Sequence, residues 1–286
     1  MVRLRVFFLV ILLIIFSCSP KISKIDSYIE SAKKGDTSAI KNLVKLLEHY
    51  EEDIKVKAYG GLIMVPEDKR EYLSKLILNK LKSEKDDVTK EYLIALSGKL
   101  RLKSAVQILV SIAKEKNYPR RYVVYFALGE IGDISAIDTV IEGLSDERVD
   151  VQKYASRAII KMGPKALPVI FEKFNSLKKD VQGYLIRAMG EIRDKSAEDL
   201  LISQINSENK YDVIWALGKV GTEKSLPYLI SELKNQDYIA RVRACQALGD
   251  LNHPSAIPHL RRTLSDKEVV VREWAARSLE VLTGER

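Results

Sequence analysis

Phe126-Ala-Leu-Gly-Glu-Ile-Gly-Asp-Ile-Ser-Ala-Ile-Asp-Thr-Val-Ile-Glu-Gly-Leu144 reads as the end of one helix, a tight turn and the start of another. The same phrase returns along the chain. Ala95-Leu96, Ala127-Leu128, Ala158-Ile159, Ala188-Met189, Ala216-Leu217, Ala247-Leu248 and Ser278-Leu279 follow one another at spacings of 28 to 32 residues. A fixed period in that range marks stacked copies of one small unit, none of which can bury its apolar face alone.

With the small residue of each copy set as position 0, position +1 is Leu, Ile or Met throughout. Position +4 carries Ile131, Met162, Ile192, Val220, Leu251 and Leu282, position −3 is mostly apolar, and Val stands at −7 in several copies. These positions make one stripe of an α-helix, here called helix A. The small residue at 0 predicts close approach of the neighbouring helix. Position +5 is Gly132, Gly163, Gly221 or Asn252 in four copies, residues that tolerate the left-handed backbone of a helix end. A Ser or Pro-Lys and a second apolar run follow, as in Ser135-Ala-Ile, Ser196-Ala-Glu, Ser225-Leu-Pro and Ser255-Ala-Ile. Ser predicts the N-cap of a helix B, with Pro227 and Pro258 in its first turn.

Two weaker copies precede these, around Gly61-Leu62 and Ile25 to Lys34. The expected fold is therefore all-α: a solenoid of about eight helix-turn-helix repeats plus a lone C-terminal helix, with no place for strands. It would occupy residues 25–286, divergent over 25–87 and regular over 88–286.

The Ala-Leu-Gly-x-Ile/Val-Gly core and the Ser-Ala-Ile second helix resemble HEAT repeats, and more narrowly the short bacterial subclass named after phycobilisome lyases. The best copies are Phe126 to Leu144, Trp215 to Leu233 and Gln246 to Leu264. The resemblance implies an interaction scaffold in most members; a minority handle bilins or hydroxylate a protein lysine. It implies His-Glu pairs as iron ligands in the hydroxylase branch. The three histidines, His49, His253 and His259, are each followed by another residue type. No P-loop, glycine-rich dinucleotide turn or Cys-x-x-Cys is present. Cys245 sits in a packing column without a neighbouring His to activate it. The expectation is a protein without catalytic or metal-binding residues and without a cofactor.

The first residues belong to another class. A basic stretch, Met1 to Arg5, precedes an apolar run from Val6 to Phe16, too short to span a bilayer and suited to a secretory leader. Ile15-Phe16-Ser17-Cys18 resembles a bacterial lipobox, although Phe16 stands where a small residue is usual. The resemblance implies a signal peptide over 1–17, lipid attachment at Cys18 and a tether over 18–24; an ordinary signal peptide or an uncleaved anchor are the alternatives. With Cys18 acylated, Cys245 is left without a disulfide partner. The expected location is the periplasmic face of the outer membrane or the cell surface.

The net charge is +8, or +6 once Arg3 and Arg5 leave with the leader. Charges of both signs are mixed along nearly every helix, which argues against a nucleic-acid partner and favours a protein. Three copies place an aromatic residue three positions before an Arg: Tyr154/Arg157, Tyr184/Arg187 and Trp274/Arg277. Such neighbours on a helix are placed for cation–π stacking. With Trp215 they form either a structural ladder sealing the A-helix layer or a partner-binding stripe along one face. Position −6 is polar or basic (Gln152, Gln182, Lys210, Arg241, Arg272), predicting contacts with joint residues such as Asp146 and Asp266. The functional expectation is an exported, lipid-anchored, non-catalytic interaction scaffold; the alternatives are a bilin-lyase-like enzyme or subunit, and an envelope assembly chaperone.

Overall fold

The computed structural model describes residues 22–284; the leader and Cys18 lie outside them. Among the described residues there are helices and no strands. Nine A helices alternate with eight B helices: α1 (Ile22–Lys33), α2 (Thr37–Leu46), α3 (Glu52–Ile63), α4 (Arg70–Leu81), α5 (Asp87–Lys99), α6 (Val106–Ala113), α7 (Tyr122–Ile131), α8 (Ile137–Gly143), α9 (Val149–Met162), α10 (Leu167–Lys173), α11 (Lys179–Ile192), α12 (Glu198–Ser203), α13 (Lys210–Val220), α14 (Leu226–Glu232), α15 (Tyr238–Leu251), α16 (Ile257–Thr263) and α17 (Val269–Thr283). This is the expected all-α solenoid of helix-turn-helix repeats with a lone last helix. No described helix is long and apolar enough to cross a membrane.

The described residues form two compact units that part between Ala127 and Leu128, inside α7. In the first, α1 packs on α3 and α3 on α5, with α2 against α1 and α3, and α4 against α5. In the second, α9, α11, α13, α15 and α17 stack in succession, with α14 and α16 wedged behind them. The predicted stripe is the core: Val151, Ala155, Ala158, Ile159 and Met162 of α9 are all buried, as are Val213, Ala216, Leu217 and Val220 of α13.

One register differs from the expectation. Gly98 faces the Cα of Ala127, just as Gly129 faces Ala158 and Gly218 faces Ala247. Position 0 of the third copy is therefore Leu96, not Ala95. Ala95 turns outward while Leu93, Ile94, Leu96 and Ser97 are buried. The corrected register puts Arg101 at +5, and its φ of 52° is the left-handed cap that the other copies show.

Two other expectations need correction. The left-handed cap occurs at Gly132, Gly163 and Asn252, and also at Arg193, but Gly221 is extended. The serines do not cap the B helices through their side chains; Ser225 stands at the N-cap position of α14 but makes no capping hydrogen bond. A single 3₁₀ turn precedes most B helices, so the side-chain cap falls two or three residues earlier: Asp133 accepts from the backbone N–H of Ser135, Asp194 from Ser196, Thr222 from Lys224 and His253 from Ser255.

Position −6 acts as a latch between copies. Lys55 reaches Asp86 at 3.7 Å, Lys210 reaches Glu232 at 3.6 Å, and Arg241 clasps Asp266. Gln152 donates to the carbonyl of Asp146 at 2.6 Å and Gln182 to that of Phe174 at 2.9 Å. These side chains satisfy carbonyls left open where the chain turns from one copy into the next.

Candidate functional site

The outer face of the A helices in the second unit carries columns −4, −1 and +3, where the apolar pattern stops. Arg157, Arg187 and Arg277 are all exposed at −1. The guanidinium of Arg157 lies 5.4 Å from the Tyr154 ring centre, and that of Arg277 lies 5.0 Å from Trp274. Two of the three expected stacks are thus present. The third is not: Arg187 pairs with Asp212 of the next copy at 2.9 Å, and the Tyr184 hydroxyl donates to Gln152 of the preceding copy at 2.8 Å. An opposite charge within reach on the adjoining helix draws a guanidinium away from its own helix's ring, because a charge-assisted hydrogen bond outweighs an exposed cation–π contact.

Successive copies are tied along this face by further pairs. Lys161 meets Glu130, and Lys219 meets Asp250 at 2.9 Å. Trp215 of α13 lies against Gly190 of α11, in the space a side chain there would fill.

Across α13, α15 and α17 the face opens into a groove of about 360 Å³. Trp215, Arg243, Gln246, Asp250, Trp274, Arg277 and Val281 line it. Both tryptophans and one of the predicted arginines meet here. Arg243 was not among the candidate residues, although it stands in column −4, at the eighth copy; it bonds Gln246 at 3.1 Å. Asp250 is neutralised by Lys219, so the groove carries two guanidinium groups without a carboxylate partner among the described residues. The other predicted residues, Tyr154, Arg157, Tyr184 and Arg187, lie on earlier A helices, outside this lining.

A buried carboxylate missed by the sequence pattern lies behind. Glu198, at the start of α12, accepts from the Ser225 hydroxyl at 2.5 Å, the Thr222 backbone N–H at 2.7 Å and the Thr222 hydroxyl at 2.9 Å. Burial works to raise its pKa, but these hydrogen bonds prevail and hold it below its ordinary value. The acid is a clamp between the sixth and seventh copies. Its sequence signal is slight: an acidic residue at a helix start and a Thr-x-x-Ser turn one copy later. Glu232 is similarly structural, nearly buried between Lys210 and Asn235.

His49 accepts from the Glu51 backbone N–H and His253 from that of Ser255, so both are turn caps. Cys245 is buried, and its thiol is pushed up to about 12, chiefly by burial. Among the described residues no three His, Cys, Asp or Glu side chains are grouped so as to hold a metal ion. The described donor set therefore does not fit an iron centre of the kind the hydroxylase branch implies.

The HEAT-repeat family model matches residues 167–237 and 226–286 of this all-helical solenoid. It is similar to deoxyhypusine hydroxylase of Eremothecium gossypii, 32% identical over 103 residues that take in 33% of this chain and 32% of the relative. The chain thus matches about a third of that relative's length. Human deoxyhypusine hydroxylase superposes with a TM-score of 0.38 at 17% identity, over 90% of this chain and 99% of that one. Kap95p, in its complex with RanGDP, superposes with a TM-score of 0.59 at 13% identity, over 85% of this chain and 39% of that one; this likeness is one of fold. The 32% identity to a named enzyme corrects the expectation of a non-catalytic scaffold: the sequence kinship is with an enzyme. The residue pattern misled because it records packing positions, which a catalytic and a non-catalytic solenoid share.

Proposed function

We propose that this chain is a component of an enzyme that acts on a protein, akin to deoxyhypusine hydroxylase, and that its repeats recognise the protein acted upon. The observation that carries the reading is the 32% identity over 103 residues. The aromatic and basic face of the second unit supports it: Tyr154, Arg157, Tyr184, Arg187, Trp215, Trp274 and Arg277 are the recognition residues. Trp, Tyr and Arg are the side chains that most often dominate protein–protein binding energy.

Comparative mass spectrometry of proteins from cells with and without the chain tests this. The expected result is a covalent modification on at least one protein that disappears with the chain and returns on complementation. Identical modification patterns in both cell types would overturn the reading.

We further infer that the chain works at a membrane surface outside the cytoplasm, with residues 1–17 removed and Cys18 acylated. The Ile15-Phe16-Ser17-Cys18 stretch supports this. One acyl chain anchors only marginally, so stable attachment calls for more than one. The short repeat period supports placement in the subclass named after phycobilisome lyases. Labelled fatty acid should enter the protein and should fail to enter a Cys18→Ala variant; no incorporation in the unaltered protein would refute the anchor.

A further inference from the structure

We propose that the groove across α13, α15 and α17 binds a short acidic peptide segment, a carboxylate side chain seating between Arg243 and Arg277 and an apolar neighbour resting on Trp215 and Trp274. This deepens the recognition reading above and rests on it. Charge complementarity selects the occupant. Arg243 is bonded only to Gln246, a neutral amide. Arg277 is stacked on Trp274. Neither has a carboxylate partner among the described residues, whereas the neighbouring Lys219, Lys161 and Arg187 are each matched by an acid. Arg157, on an earlier copy of this face, is likewise stacked on a ring, but the groove brings two guanidinium groups together. A guanidinium held in place by a ring offers its two-pronged edge to an incoming carboxylate, the geometry that favours Arg over Lys. The volume, about 360 Å³, is at the small end for a ligand cleft, which suits side chains of an extended segment.

A nucleic acid could also present negative charge and flat apolar surface. Asp250 in the lining counts against a continuous phosphate backbone, and mixed charge continues on α11 before the groove.

The chain's only two tryptophans, Trp215 and Trp274, both line the groove, so their fluorescence reports its occupancy. The full chain is titrated with a short peptide carrying paired glutamates and a leucine, with its glutamine counterpart, and with oligothymidylate. The acidic peptide should change the emission saturably, and the glutamine peptide should bind at least about tenfold more weakly, the loss expected for one charge-assisted hydrogen bond. Arg243→Glu, which leaves the Trp274 stack untouched, should weaken the acidic peptide at least as much, and Arg243→Lys should restore part of it. The inference is overturned if the acidic and glutamine peptides behave alike, if Arg243→Glu leaves binding unchanged, or if oligothymidylate alone shifts the emission. Failure here leaves the chain-dependent protein modification intact; if that modification is absent while the acidic peptide binds, the enzyme reading fails and the groove stands.

Discussion

The guanidinium of Arg241 clasps the carboxylate of Asp266 across two copies, Nε to Oδ2 at 2.8 Å and Nη2 to Oδ1 at 2.9 Å. The remaining nitrogen donates to the carbonyls of Asn235 at 2.8 Å and Gln236 at 3.0 Å. Arg241 thereby joins the joint before its own helix to the joint after it.

Removing one partner of this nearly buried pair should be costly, because the other is left without its counter-charge. Arg241→Ala or Asp266→Ala should each destabilise by roughly 3 kcal/mol, the lower end of the range for a buried pair. The double variant should cost clearly less than the sum. Chemical denaturation of the four proteins checks this; strict additivity would show that the pair contributes no coupling.

Glu198 should make the seventh copy sensitive to acid. Its pKa is held below the ordinary value by its hydrogen bonds from Ser225 and Thr222, against the opposing effect of burial. A depressed carboxylate contributes stability that is present above its unfolded pKa and lost as pH falls through its folded pKa. The thermal midpoint of the protein should exceed that of Glu198→Gln at neutral pH, and the gap should close on acidification below the usual carboxylate range. A gap that persists unchanged into acid would rule out the ionised form as the source.

Two glycines should respond in opposite directions to Ala. A Cβ on Gly218 would stand 2.7 Å from the Cα of Ala247 and 2.9 Å from its Cβ, so α13 and α15 would have to part. Gly218→Ala should cost about 1–3 kcal/mol. A Cβ on Gly60, inside α3, would meet nothing within 4 Å, and Gly60→Ala should stabilise by about 0.5–1 kcal/mol through reduced chain freedom. Urea midpoints of both variants decide it; equal shifts would mean that helix contact does not set the glycine at position +2.

Cys245 should be inert in the folded protein. Its thiol is buried and raised to about 12, which removes the reactive thiolate near neutral pH. In a Cys18→Ala variant, an aromatic disulfide reagent should label Cys245 only once denaturant unfolds the chain. Rapid labelling under native conditions would contradict the packing described for α15.

The repeat, its apolar stripe and the alternation of A and B helices are written in the sequence because each depends on a side chain's size at a periodic position. The register slip at Ala95 shows the limit of that signal. Ala95-Leu96 looks like Ala127-Leu128, yet the neighbouring helix presses on Gly98, and only packing tells which of two small residues faces inward. The caps were misplaced because a 3₁₀ turn shortens the path into helix B, a detail without periodic signature. At the site, the shared column of Arg157, Arg187 and Arg277 was legible. The choice of Arg187 for Asp212 over Tyr184 was not, since it depends on a contact between copies. The kinship with an enzyme was illegible for another reason: positions that pack are common to every solenoid of this kind, whatever its task.

The latch at position −6 has a backward half, made by Gln152, Gln182 and one nitrogen of Arg241, and a forward half. Arg241 reaches forward to the next copy, but Arg272 of α17 turns back to the carbonyls of Asp266 and Lys267, just before its own helix. Arg272 is the last side chain of the row among the described residues, and it ties its own end. α17 is thus the hem of the fabric: cut the chain before residue 265, and Arg241 loses its anchor, so fraying would begin at α15 and travel towards the N-terminus.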